Sequence, residues 1–123
     1  ELFFLLNSRK YSISHTNLPS KNEHSEFVSA HPYRIWYLIY KNRRLFGSVY
    51  LHIDNSVGVD LIEYTESDIF SVIKYIKDNH TPLPSIKSVR RATFFINVPS
   101  ENERFVKSLK NLNVNEIQRS FLI

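Results

Sequence analysis

Between Tyr33 and Ile62 the chain is written in short runs of aromatic and β-branched residues that alternate with polar ones, the period of strands that bury one face. YRIWYLIYK and LFGSVYLHI are separated only by the polar Asn42-Arg43-Arg44, which predicts an antiparallel hairpin. A third run, Val57 to Ile62, follows the tight Asp54-Asn55-Ser56 turn, so the expectation is a three-stranded antiparallel meander. The period then changes. Ile69, Val72, Ile73 and Ile76 fall at i, i+3, i+4 and i+7, and Thr65 with Asp68 gives a capping-box-like start, so a helix follows directly and ends in the Asp78 to Pro84 loop. Val89 to Val98 reads as another strand, apolar enough at its end to be central. Ser100 to Glu103 is a capping box, and Phe105, Val106, Leu109 and Leu112 stripe the helix it opens. Val114 to Ile123 alternates moderately and reads as a closing strand.

Ahead of the meander, Leu2, Phe3, Leu5 and Leu6 suggest a short helix over Glu1 to Arg9. A polar loop, Lys10 to Pro19, leads to a second helix capped by Ser20 and Glu23, carrying Phe27 and Val28 and stopping before Pro32. A strand-helix-strand passage implies a parallel crossover, whereas the meander is antiparallel. The expected fold class is therefore α+β with a mixed sheet.

Composition narrows this picture. At 123 residues and 42% hydrophobic content the chain fits one domain spanning 1–123. Its first residue is Glu rather than Met, so an N-terminal truncation that removes a preceding strand is expected. The absence of cysteine excludes disulfides and thiolate metal sites and suits a reducing, cytoplasmic home. No apolar run approaches the ~20 residues of a membrane span, and the apolar stretch at Leu2 to Leu6 is too short and wrongly flanked for a signal peptide. A net charge of +4, spread along the chain, suits an anionic small molecule, a nucleotide-bearing ligand or weak RNA contact without choosing among them, and no nucleic-acid motif is present. With Gly47 and Gly58 as the only glycines, a glycine-rich phosphate loop is excluded. The five histidines include no i, i+4 pair of the kind found on a zinc helix, so no metal site is expected.

The stretch with most chemical promise is the joint from Val57 to Ile76, where a strand passes into a helix. The first turn of a helix leaves N–H groups unpaired and carries partial positive charge, which favours a phosphate or thioester ligand. The turn here, Tyr64-Thr65-Glu66-Ser67-Asp68, contains two acids and no glycine.

Further residues recur in a recognisable order. Ile96-Asn97 ends the fourth expected strand, Asn102 follows at a helix start, and Leu109 and Asn113-Val114 precede the closing run. Upstream stand Ile13-Ser14-His15, Glu23-His24 and HPYRIWYLI from His31 to Ile39. In this order the chain resembles the GNAT superfamily of acyl-CoA-dependent N-acetyltransferases, in a bacterial-type branch, over nearly its whole length. The resemblance implies a GNAT-like N-acyltransferase fold without its first strand, in which Val57–Ile62 leads into the pyrophosphate-binding helix and the next strand splays away to admit a pantetheine arm. It implies a transferase that moves an acetyl group from acetyl-CoA to the primary amine of an amino sugar, a small amine or a protein amino terminus. Homodimerisation or fusion to another domain are the associations that go with it.

By the same resemblance, Asp60 and Glu63 are the candidates for the general base, Leu61, Ile62 and Tyr64 offer backbone groups to the acyl-CoA, and Ser67 and Asp68 occupy the pyrophosphate turn. Asn97 and Asn102 would help hold the cofactor, the alternative being a strand-end turn and a helix first turn. His31, Tyr33 and Trp36 would line an acceptor pocket, the alternative being a helix stop followed by core aromatics. The chain departs from the family in three places. TESDI stands where a Gln/Arg-x-x-Gly-x-Gly/Ala turn is usual, so like charge should weaken CoA binding; Leu109 replaces the aromatic acid of the last helix, and Asn113-Val114 replaces Gly-Phe. These departures support the alternative of a catalytically degenerate GNAT-fold binding domain within a larger protein.

Overall fold

A computed structural model of the chain describes residues 33–123. Among them the elements are β1 (Ile35–Lys41), β2 (Arg44–Leu51), β3 (Ser56–Leu61), α1 (Glu66–Asn79), β4 (Phe95–Ile96) and α2 (Glu103–Asn111). The sheet runs β1-β2-β3-β4. Its first three strands are antiparallel and β4 lies parallel to β3. The described residues thus form an α+β structure with a four-strand mixed sheet and two helices, containing both the meander and the parallel crossover. The helices expected over 1–9 and 20–31, and His31, lie outside the described residues.

The β1-β2 turn is tighter than its composition suggests. Lys41 pairs with Arg44, and the two residues between them, Asn42 and Arg43, have φ of 52° and 65°. Left-handed backbone at both positions is the geometry of a type I′ turn, whose twist matches that of the strands. Asn tolerates it readily, and Arg43 adopts it without glycine's help. A bulge follows: Ile39 faces Gly47 while Tyr40 faces Leu45, leaving Phe46 as the extra residue. At the β2-β3 turn the Asn55 N–H donates to the His52 carbonyl at 3.1 Å, with Asn55 at φ 72°.

Strand alternation sends Val49, Leu51 and Val57 to one face, where Ile76 of α1 seals them together with partly buried Ile35, Tyr37, Ile39 and Val72. A second core joins the helices: Ile69 of α1 meets Phe105 and Leu109 of α2, against Val59, Leu61 and Ile96 of the sheet. Helix α1 starts as its sequence predicts, with Thr65 as N-cap and a complete capping box to Asp68.

Three expectations are corrected. The strand expected over 89–98 shrinks to Phe95–Ile96, because Arg90 and Arg91 are drawn into an ordered loop. The Arg90 guanidinium donates to the carbonyls of Pro84 and Ile53, and the buried Asn55 amide donates to those of Leu83 and Arg91. The capping box expected at Ser100 is unused. A turn closed by the Asn102 N–H on the Pro99 carbonyl takes up Ser100 and Glu101, so Asn102 becomes the N-cap and accepts from the Phe105 N–H. The closing strand over 114–123 is absent, and Ile117, Phe121, Leu122 and Ile123 are exposed. Alternation specifies a face but supplies no partner edge. Helix α2 ends in a Schellman turn, with Asn113 at φ 61° and the Val114 N–H on the Leu109 carbonyl, and the chain leaves the sheet from there. No helix among the described residues is long and apolar enough to cross a membrane.

Candidate functional site

The parallel pair β3-β4 is in register only at Ser56–Phe95 and Val57–Ile96. Beyond these pairs β3 continues to Leu61, while Asn97 to Pro99 make no further ladder pair with it. Among the described residues β3 therefore runs on past β4 without a strand paired to that edge. The pairing determines which groups it presents there. The carbonyl of Ser56 accepts from His52, and the N–H of Ile62 donates to Phe46 at 2.9 Å, so the even-numbered residues of β3 spend their backbone groups on β2. The odd-numbered ones point the other way, as the Phe95 N–H bonded to the Asn55 carbonyl confirms for the start of the strand. Val59 and Leu61 accordingly aim N–H and C=O at the edge past the end of β4, which is open among the described residues. Their side chains lie on the helix side, packed against the second core.

The mouth of this opening is the N-terminus of α1. Here the chain supplies its own anion. The Asp68 carboxylate accepts from the Thr65 N–H at 2.8 Å and from its hydroxyl at 3.0 Å, and it pairs with Lys41 Nζ at 3.0 Å. The Thr65 N–H, followed by the Lys41 contact, overcomes partial burial and holds the Asp68 carboxyl below its ordinary pKa. Glu66 is turned aside, accepting from the Asn111 side-chain amide of α2. Across the mouth, Arg104 stacks over the Tyr64 ring with its guanidinium carbon 4.8 Å from the centroid and donates to the Tyr64 carbonyl at 3.0 Å. Tyr64 also meets Phe105 edge to face.

The opposite face of the sheet carries the aromatic residues. Tyr33 stacks on Tyr50 at 3.9 Å and meets Trp36 edge-on at 5.0 Å. Tyr50 in turn lies over Gly58, where an added Cβ would fall 2.0 Å from its ring. The ring occupies the space a side chain would take, so any other residue here forces Tyr50 to shift. Gly58 pairs with Tyr50 and Asp60 pairs with Ser48, so Asp60 is two residues along β3 on the same face, about 7 Å further on at strand rise.

The sequence-predicted residues therefore divide. Asp60, Tyr33 and Trp36 share one face of the sheet. Leu61 presents its backbone to the opening, whereas the Ile62 N–H is spent on β2. Glu63 stands past the strand end, exposed, with φ 45°. Tyr64 and Asp68 form the mouth through contacts within the chain. Ser67 is exposed on the first turn of α1, its carbonyl taken by the Ser71 hydroxyl, and Asn97 is exposed where the chain leaves β4. Asn102 caps α2. Val59, Lys41, Arg104 and Tyr50 escape sequence reasoning. The parity that selects Val59 depends on which strand pairs with β3, and Lys41 and Arg104 reach the mouth from 27 and 40 residues away. Gly58, one of two glycines, is the available signal for Tyr50. Among the described residues no three His, Asp or Glu side chains are grouped to hold a metal ion. No protein-family model, no curated protein and no solved structure matches this chain.

Proposed function

We propose that this chain has a GNAT-like fold and acts as an N-acetyltransferase, taking the acetyl group from a pantetheine thioester of the acetyl-CoA class and giving it to a primary amine. The observation that carries the reading is the end of the β3-β4 pairing after two residue pairs. Past those pairs the backbone donors and acceptors of Val59 and Leu61 face an edge that β4 does not cover. An arm built of two amides, as pantetheine is, matches such an edge as an additional strand would. The order of a meander, a crossover helix, a short parallel strand and a second helix supports the same reading.

In this reading Asp60 is the base. It shares its face with Tyr33 and Trp36, which form the acceptor side, while the thioester approaches along the β3 edge. Asp60 takes a proton from the incoming ammonium, and the freed nitrogen lone pair attacks the thioester carbonyl carbon. The carbon–sulfur bond then breaks, the acetyl group remains on nitrogen as an amide, and the thiolate leaves and gains a proton. A backbone N–H of Val59 or Leu61 stabilises the oxyanion formed between these steps. Glu63, at the mouth, is the second carboxylate able to relay a proton. The acceptor in this reading is the primary amine of an amino sugar, a small amine or a protein amino terminus.

A second reading, a GNAT-fold binding domain without catalysis, draws support from the self-capped α1 N-terminus. Calorimetric titration with acetyl-CoA and with S-acetyl-pantetheine, followed by thiol release on adding an amine, separates the two. Binding of either donor with Kd below about 1 mM and amine-dependent thiol release is the expected result. Binding without release leaves the binding-domain reading. No binding of either donor overturns the acyl-thioester site.

A further inference from the structure

The end of β3 opposite the α1 N-terminus is flanked by chain of a single charge sign. Between Asp78 and Glu101 there is no acidic residue, and Lys87, Arg90 and Arg91 fall within this stretch. Residues 86–90 close a narrow loop. The Ile86 N–H donates to the Arg90 carbonyl and the Arg90 N–H to that of Ile86, both at 2.8 Å, while the Val89 N–H reaches the Ile86 carbonyl at 2.9 Å. Ser88, at φ 64°, turns the tip. The Arg90 guanidinium braces the loop, donating to the Pro84 carbonyl at 2.7 Å and to the Ile53 carbonyl at 3.0 Å. Asn55 holds the chain on either side through the carbonyls of Leu83 and Arg91. The β2-β3 turn, with Ile53, is thereby fixed beside the loop.

A loop held in this way leaves its apolar side chains in water. Val89 is 74% exposed, Ile53 57% and Ile86 47%, where a loop tip ordinarily carries small polar residues. Lys87 and Arg91 are exposed with them. Asp54, the acid of the neighbouring turn, spends its carboxylate on the Ser56 N–H at 2.7 Å and faces His52 Nδ1 at 3.3 Å. We propose that this tip docks on an anionic lipid surface, Ile86 and Val89 entering the headgroup region and Lys87 and Arg91 meeting lipid phosphates. Apolar insertion and basic charge are the two signals that a reversible membrane contact combines, and the braced loop loses little freedom on inserting. Other anionic partners fit the tip less well. Residues 81–93 contain no aromatic side chain on which a base would stack. Three aliphatic side chains on a narrow tip are a small contact beside the about 800 Å² that each partner gives to a stable protein interface, whereas a bilayer has no shape to be matched.

The test is flotation of the 123-residue chain with vesicles of phosphatidylcholine alone and of phosphatidylcholine with phosphatidylserine at about 3:1. Single-stranded RNA and polyglutamate serve as soluble anions. The apparent affinity is expected to be at least about tenfold higher for the anionic vesicles than for the neutral ones, and to fall as salt rises. Ile86→Ser with Val89→Ser should weaken vesicle binding by about fivefold or more at unchanged charge. Lys87→Glu with Arg91→Glu should abolish the preference for anionic vesicles. All four side chains are exposed, so the urea midpoint followed through Trp36 should stay at the parent value in both variants. No binding to anionic vesicles, or equal binding to both kinds, overturns the proposal. RNA or polyglutamate bound as tightly as the anionic vesicles, with the serine pair without effect, overturns it as well and assigns the basic loop to a soluble polyanion.

Discussion

Asn55 is the residue on which the start of the β3-β4 pair depends, and its replacement gives the sharpest test of the fold. It is fully buried at 0% exposure and left-handed at φ 72°. Its side-chain amide donates to the carbonyls of Leu83 and Arg91 at 3.0 and 2.6 Å and accepts from the Leu83 N–H at 2.8 Å. Its own carbonyl takes the Phe95 N–H, the bond that starts the β3-β4 pair. Asn55→Gly keeps the backbone conformation and removes the side-chain bonds; at about 1 kcal/mol each the loss is about 3 kcal/mol. Asn55→Ala loses the same bonds and adds left-handed strain of about 1 kcal/mol or more, about 4 kcal/mol in all. Asn55→Asp keeps the acceptor and puts an oxygen against two carbonyls, so it should be at least as damaging as Ala. The assay is equilibrium urea unfolding followed through Trp36, the single tryptophan. The reasoning is refuted if Gly costs less than about 1 kcal/mol, or if Ala is milder than Gly.

Other consequences can be checked in the same assay. Asp68 has a lowered pKa in the fold, so its contribution is present above the ordinary carboxylate value of about 3.9 and is lost as the pH falls through its folded value. Asp68→Asn should therefore cost about 1 kcal/mol at neutral pH and lessen the fall of the urea midpoint in acid; an unchanged acid slope would remove the carboxylate from the capping account. Gly47→Ala places a Cβ 2.2 Å from the Asp60 carbonyl oxygen, forcing β2 and β3 apart at a cost of about 1–3 kcal/mol. Phe105→Ala opens the core between the helices, where Phe105 is 5% exposed, and should cost about 3–5 kcal/mol. Asn113→Gly should be neutral within about 0.5 kcal/mol while Asn113→Ala costs about 1 kcal/mol, because the left-handed C′ position is what the Schellman turn requires.

The features legible in the sequence are those local in cause. The meander arises from a period of two and short polar turns, and α1 from Ile69, Val72, Ile73 and Ile76 with its Thr65–Asp68 box. The rest depends on partners distant in sequence. Val89 to Val98 has the composition of a strand, but Asn55 and Arg90 bind that part of the chain through backbone carbonyls, and two strand residues remain. At the N-terminus of α2 two overlapping caps are available, Ser100 and Asn102, and the turn closed on Pro99 decides between them. The candidate site divides in the same way. Trp36 and Asp60 each follow the alternation of their own strands, whereas Tyr33, outside β1, reaches that face only by stacking on Tyr50, and the Val59 edge and the Lys41 and Arg104 contacts arise only from the pairing of distant segments.

Two of the departures from the resembled family are unequal in physical terms. Asn113-Val114 stands where Gly-Phe is usual, yet Asn113 adopts the left-handed conformation that a glycine would, and Val114 packs into the core that contains Leu109. That mismatch is one of residue type, and the backbone is indifferent to it. The turn from Tyr64 to Asp68 differs in kind. Two of its N–H groups, those of Thr65 and Asp68, are engaged by the Asp68 and Thr65 side chains, so substituting one glycine there would leave the Asp68 carboxylate in place and paired to Lys41. Under the proposed acyltransferase reading, Glu66→Gly alone should accordingly leave acetyl-CoA affinity unchanged, and only variants that also remove the Asp68 carboxylate should raise it. A gain from Glu66→Gly by itself would show that steric access at the turn, and not the bound carboxylate, limits the nucleotide donor.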